Sequence, residues 1–141
     1  MARRHIHEEI RTMLKIIDVR ITELYRSRTE YGELRCHRLN VPEGKAGELI
    51  INVPGNEKSL SIEEIFVDRI FRNAGFGSRL LDFAEKTACE LGIRSVELRP
   101  FSTDPLISDL ELREWYFERG YIPDGEKMRK KMNNQNFGVM T

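Results

Sequence analysis

The segment from Ile62 to Gly77 constrains the fold more than any other part of this 141-residue chain. An apolar, β-branched run, Ile62 to Val67, leads through Arg72-Asn73-Ala74-Gly75-Phe76-Gly77 into Ser78-Arg79-Leu80-Leu81-Asp82-Phe83-Ala84. That order predicts a strand, a short turn, and a helix entered through two glycines. With no Cβ at Gly75 or Gly77, successive backbone N–H groups can point at one spot. The first N–H groups of a helix lack intrahelical partners and lie at the positive end of its dipole, so an anion is favoured there. A bare G-x-G also fits a tight helix entry that holds nothing. No Gly-Lys-Ser/Thr follows, which excludes a P-loop, and Ala74 with no third glycine breaks the dinucleotide-binding fingerprint.

The surroundings carry more information than the glycines. The R-x-x-G-x-G loop, with Val67 five residues before Arg72, resembles the pyrophosphate loop of the GNAT superfamily of N-acetyltransferases. Glu97-Leu98-Arg99 resembles that family's next strand. Trp115-Tyr116-Phe117-Glu118-Arg119-Gly120-Tyr121 resembles its Leu-Tyr-Glu-Lys-x-Gly-Phe segment, with Tyr116 four residues before Gly120. The resemblance runs from about Ser59 to Met132 and implies an α/β fold: a mixed, mostly antiparallel sheet flanked by helices. It does not reach the N-terminal third.

The length suits one domain, residues 1–141, with a polar, frayed tail from Asn133. Lys+Arg and Asp+Glu each total 23, so no bulk field draws the chain to nucleic acid or a membrane. No apolar run approaches the roughly 20 residues of a membrane span. The start, Met-Ala-Arg-Arg-His, has charge without an apolar stretch after it, so no secretory signal is expected. Cys36 and Cys89 fall on an expected strand and helix and read as buried free thiols, which suits a cytoplasmic setting. His5 and His7, two apart on an expected helix, do not share a face and have no ligand cluster beside them, so no metal is expected.

Ile6, Ile10, Met13, Leu14 and Ile17 recur at helical spacing and predict an amphipathic N-terminal helix. Ile17, Val19 and Ile21 then alternate like a first strand. Further strands are expected at Glu33–Leu39, Glu48–Val53 and Ile93–Leu98, with polar turns at Arg26–Gly32, Val41–Gly44 and Pro54–Asn56. Leu80, Leu81, Ala84, Ala88 and Leu91 make one helical stripe ended by Gly92. Ser108 and Glu111 have capping-box spacing for a last helix, whose Leu110, Leu112, Trp115 and Phe117 supply apolar surface. Tyr121–Gly125 is expected to turn before a closing strand at Glu126–Met132. The family usually places two helices between its first two strands, and here only a turn is available. The acceptor side is therefore non-standard, and a second subunit in a homodimer could complete it.

The resemblance implies acetyl-CoA as cosubstrate and an amine acceptor. Backbone N–H groups of Asn73, Ala74, Gly75, Phe76, Gly77 and Ser78 would hold the pyrophosphate, with Arg72 and Arg79 adding charge. Ile65, Phe66 and Val67 would pair with the pantetheine, the Val67 N–H polarising the thioester carbonyl. Asp109 stands where the family often has an Asn near the cofactor. Tyr116 is the expected general acid, since a phenol with an ordinary pKa of about 10 is protonated at neutral pH. Glu63 is the first candidate base, counted by period two onto the face of Ile65 and Val67. Glu97 is its rival and Glu64 a third. The expected activity is acetyl transfer to an amine of a small molecule, peptide or protein. The alternatives are a non-catalytic acyl-CoA sensor or interaction module of the same fold, and a nucleotide-binding protein with an accidental G-x-G.

Overall fold

A computed structural model describes residues 18–55 and 59–133. The expected N-terminal helix, His5, His7, Asn56 and the tail beyond Asn133 lie outside the described residues. The strands are β1 (Arg20–Thr29), β2 (Gly32–Val41), β3 (Gly44–Pro54), β4 (Leu60–Val67), β5 (Ser95–Leu98), β6 (Ile122–Asp124) and β7 (Lys127–Lys131). The helices are α1 (Phe76–Glu90) and α2 (Asp109–Phe117), and a 3₁₀ turn spans Arg69–Phe71. The described strands form one mixed sheet in the order β1-β2-β3-β4-β5-β7-β6. Only the β4–β5 pairing is parallel, and it is joined through α1. This is the expected fold class.

The core lies between the sheet and α1. Phe76, Leu80, Leu81, Ala84 and Ala88 are buried at helical spacing along one side of α1. They join Leu39, Leu49, Ile51, Leu60, Ile62, Val96 and Leu98 from alternate positions of the central strands in one cluster. Glu85 is buried on the same helix but satisfied: Tyr121 donates its hydroxyl at 2.8 Å and Lys130 its ammonium at 3.0 Å. These contacts fasten α1 to the final hairpin. The start of α2 follows the expected capping box, with Glu111 N–H donating to Ser108 Oγ at 3.1 Å.

Two expectations need correction. Arg26–Gly32 is not a turn, because β1 continues to Thr29 and only Glu30-Tyr31 reverse the chain. As the sheet's edge strand, β1 leaves nearly every residue exposed, so it needs no apolar alternation, and its charges guard the edge. Within Tyr121–Gly125, Ile122–Asp124 form the short strand β6, held by pairing to β7 rather than by burial. In α2 the apolar surface is not all inward: Leu110 and Phe117 are 65% and 62% exposed, while Tyr116 is buried.

His37 is buried beside the Phe83 ring, at 4.7 Å between centroids. Burial pushes its pKa below the ordinary value, only partly opposed by Glu23. A base with a depressed folded pKa contributes stability above its unfolded value of about 6.5, and this is lost as pH falls toward the folded value. The thermal midpoint should therefore drop as pH is lowered from 6.5 to 5. His37→Leu should flatten that limb, and an unchanged limb in the variant would contradict the assignment.

Candidate active site

The site begins where two strands part. β4 and β5 pair over Leu60–Val96, Ser61–Glu97 and Ile62–Leu98 only, whereas β4 stays paired to β3 as far as Val67. The cause is a bulge. Ile62 lies opposite Ile51 and Glu64 opposite Ile50, so Glu63 is an extra residue in β4. A bulge bends and twists its strand, here swinging the end of β4 away from β5. Asp68 N–H donates to Ala46 O on β3 at 2.8 Å. Successive residues aim their N–H groups to opposite sides, so those of Val67 and Ile65 face the gap that β5 has vacated.

The helix start adjoins this gap. Asn73 and Gly75 both take positive φ, 64° and 80°, with Ala74 between them on the ordinary side. Alternation of that kind turns N–H groups into a concavity that suits an anion. Gly75 is the N-cap of α1, no side chain caps the helix, and its first turn holds no acidic residue. The first intrahelical bond runs from Arg79 N–H to Gly75 O. The N–H groups of Phe76, Gly77 and Ser78 are thus left at the positive end of a 15-residue helix. At Gly77 a Cβ would stand 3.3 Å from Trp115 Cζ2 and 3.9 Å from Val67 Cγ2, so the end of α2 lies directly over the loop and the last residue of β4.

The remaining sequence candidates are placed as follows. Tyr116 is 5% exposed, with its ring edge-on to those of Trp115 and Tyr121. Burial raises its pKa to about 12, the charge of Arg119 pulling the other way. Arg72 is already engaged: its Nε donates to Val67 O at 3.2 Å, and its guanidinium pairs with Asp104, which Arg69 also reaches. That ion pair ties together the loops that follow the two parting strands. Asp109 is engaged too, accepting from Ser102 N–H at 2.9 Å. Arg79 is exposed on the first turn of α1.

The carboxylates lie across the sheet. Ile62 and Ile65 pair with Ile51 and Leu49 on the helix-facing side. The bulge therefore breaks the count that put Glu63 on the face of Ile65 and Val67, a correction. Glu63 instead joins Ser61, Asn52, Glu97, Lys127 and Arg129 around an open cleft of about 1060 Å³. Glu97 accepts from Lys127 at 3.1 Å and Arg129 at 2.9 Å. Burial pushes its pKa up, but those two cations outweigh it and hold the carboxyl below its ordinary value. Glu63 is exposed, and among the described residues no ion pair engages it.

Arg119 was missed by the sequence reading. Its guanidinium carbon lies 3.8 Å from the Trp115 ring centre, its Nη1 donates to Trp115 O at 2.9 Å, and its Nε donates to Ser78 Oγ at 3.2 Å. The i, i+4 spacing from Trp115 was a signal that the two could meet.

A strand edge without a neighbour, beside an uncapped helix start, offers main-chain donors that suit an extended ligand with an anionic end. The chain belongs to the Acetyltransferase (GNAT) family, whose profile matches residues 17–105. Tyr116 and α2 lie beyond that match. Similar solved structures include a GNAT family acetyltransferase from Elizabethkingia anophelis with acetyl-CoA bound. It has TM-score 0.62 and 11% identity, covering 81% of this chain and 98% of that one. The PaiA N-acetyltransferase of Thermoplasma acidophilum, in complex with coenzyme A, has TM-score 0.55 and 18% identity over 68% and 59% of the two chains. Ard1 of Thermoplasma volcanium has TM-score 0.59 and 18% identity over 70% of each. At such identities the likeness shows the fold alone. No curated protein matches the sequence. No described helix is long and apolar enough to cross a membrane, and the described residues bring together no group of three or more His, Cys, Asp or Glu that could hold a metal ion.

Proposed function

We propose that residues 1–141 form one acetyltransferase domain that moves an acetyl group from acetyl-CoA to an amine, by direct attack with both substrates bound. The observation that carries this reading is the unpaired edge of β4 at Ile65 and Val67, opening beside the uncapped start of α1. Acetyl-CoA supplies the acyl group as a thioester and carries a diphosphate that suits the N–H groups of Phe76, Gly77 and Ser78. The main chain at Ile65 and Val67 binds the amide-bearing arm as a neighbouring strand would. The Val67 N–H is the donor for the thioester carbonyl. Tyr116 holds its proton at neutral pH and delivers it to the departing sulfur. Glu63, exposed in the cleft across the sheet, takes the proton from the attacking amine.

Glu97 is the weaker candidate base, because a carboxylate held by two cations has lowered basicity. Thiol release from acetyl-CoA, measured across small amines and peptide N-termini, tests the function. With an accepted amine, Glu63→Gln should lower kcat/KM by on the order of 10²-fold. Glu97→Gln should lower it far less. The reverse order would exchange their roles.

A second reading, a non-catalytic acyl-CoA-binding module, is favoured by one feature: both carboxylates stand across the sheet from the helix that carries Tyr116. Binding of coenzyme A without thiol release to any amine would support it. We place the protein in the cytoplasm, with the hairpin between β1 and β2 leaving room for a second subunit at the acceptor side. Full activity from a strict monomer would contradict the latter.

A further inference from the structure

We propose that Arg119, from the segment following α2, is a diphosphate-binding residue of the acyl-CoA site, held ready by its stack on Trp115. This rests on the acyl-CoA reading above. The loop's own arginine does not fill this part, since Arg72 is committed to Val67 O and Asp104. Arg119 instead brings a cation to the first turn of α1 through Ser78 Oγ. Two further contacts fix it in place, the Trp115 ring beneath it and Trp115 O beside it. Its Nη2 group has no partner among the described residues, so the guanidinium still presents donors in a fixed plane. Ser78 accepts from Nε and so retains its own O–H to donate. Such a fork matches phosphate oxygens, and a side chain already held loses little freedom when they arrive. Trp115 transmits the arrangement to the loop, because its ring rests against Gly77 and Val67.

The test compares two donors that differ in the diphosphate. Trp115 is the only tryptophan, so its fluorescence reports directly on occupancy of this site. Arg119→Gln should weaken acetyl-CoA binding on the order of 10- to 100-fold by fluorescence titration, the loss expected of charge-assisted bonds to phosphate. Arg119→Lys should recover part of that loss. With S-acetyl-pantetheine, which has no diphosphate, the loss in Arg119→Gln should be on the order of tenfold smaller than with acetyl-CoA. Equal losses with both donors would make Arg119 a packing residue and overturn the proposal, as would undiminished acetyl-CoA affinity in Arg119→Gln. Failure of the wild type to bind acetyl-CoA would instead overturn the acyl-CoA reading itself.

Discussion

Gly77→Glu is expected to abolish acetyl-CoA binding while leaving the fold intact. The two effects separate because they have different causes. A Cβ at this position meets Trp115 Cζ2 at 3.3 Å, a contact that a shift of a few tenths of an ångström in one partly exposed ring relieves. The new carboxylate then lies in the first turn of α1, where it adds about 0.3–1 kcal/mol to a helix that has no acidic residue there. The same negative charge stands where the diphosphate would accept from the N–H groups, and it repels a ligand that it cannot replace. Gly77→Ala is the control for the ring shift alone and should bind within a few-fold of wild type. Calorimetric titration reports affinity and thermal melting reports the fold. Retained binding in a folded Gly77→Glu protein would remove the anion site from α1.

Tyr116→Phe is expected to lower kcat by on the order of 10²- to 10³-fold, the usual contribution of a positioned acid, with acetyl-CoA affinity unchanged. No hydrogen bond engages the phenol within the described residues, so the ring keeps its packing against Trp115 and Tyr121 and stability should change little. The raised pKa of about 12 has a further consequence. A phenol whose folded pKa exceeds its unfolded value of about 10 contributes stability that is complete below pH 10 and lost between 10 and 12. Activity should therefore show no alkaline limb from Tyr116 below pH 10, and Tyr116→Phe should be more resistant to unfolding at pH 11 than wild type. Unchanged turnover in the variant would leave the phenol without a chemical role.

The parts of this fold that were legible in the sequence are those where burial imposes a period. The stripe from Leu80 to Ala88 and the alternation through β3 and β5 face one core, and their residue types say so. Beyond Ile21, β1 carried no such signal, because an edge strand exposed on both faces needs only a partner. The bulge at Glu63 was invisible for another reason: one inserted residue changes no composition, yet it reverses the facing of every side chain before it relative to those after it. That single residue separates the candidate site from the expected one, since it both leaves the end of β4 unpaired on the β5 side and moves Glu63 to the far face. The helix entry at the glycine loop was readable because a positive φ at the N-cap favours a glycine, here Gly75. The partners of Arg72 and Arg119 were not, because their engagement with Asp104 and Trp115 depends on contacts made only in three dimensions.

Titration of the wild-type protein with acetyl-CoA, followed by calorimetry at low and at high salt, tests most directly whether the parted strands and the start of α1 hold this donor. Saturation at one molecule per chain is predicted, with affinity falling as salt screens the diphosphate. Absence of heat at either salt concentration, from a protein that melts cooperatively, would contradict the account.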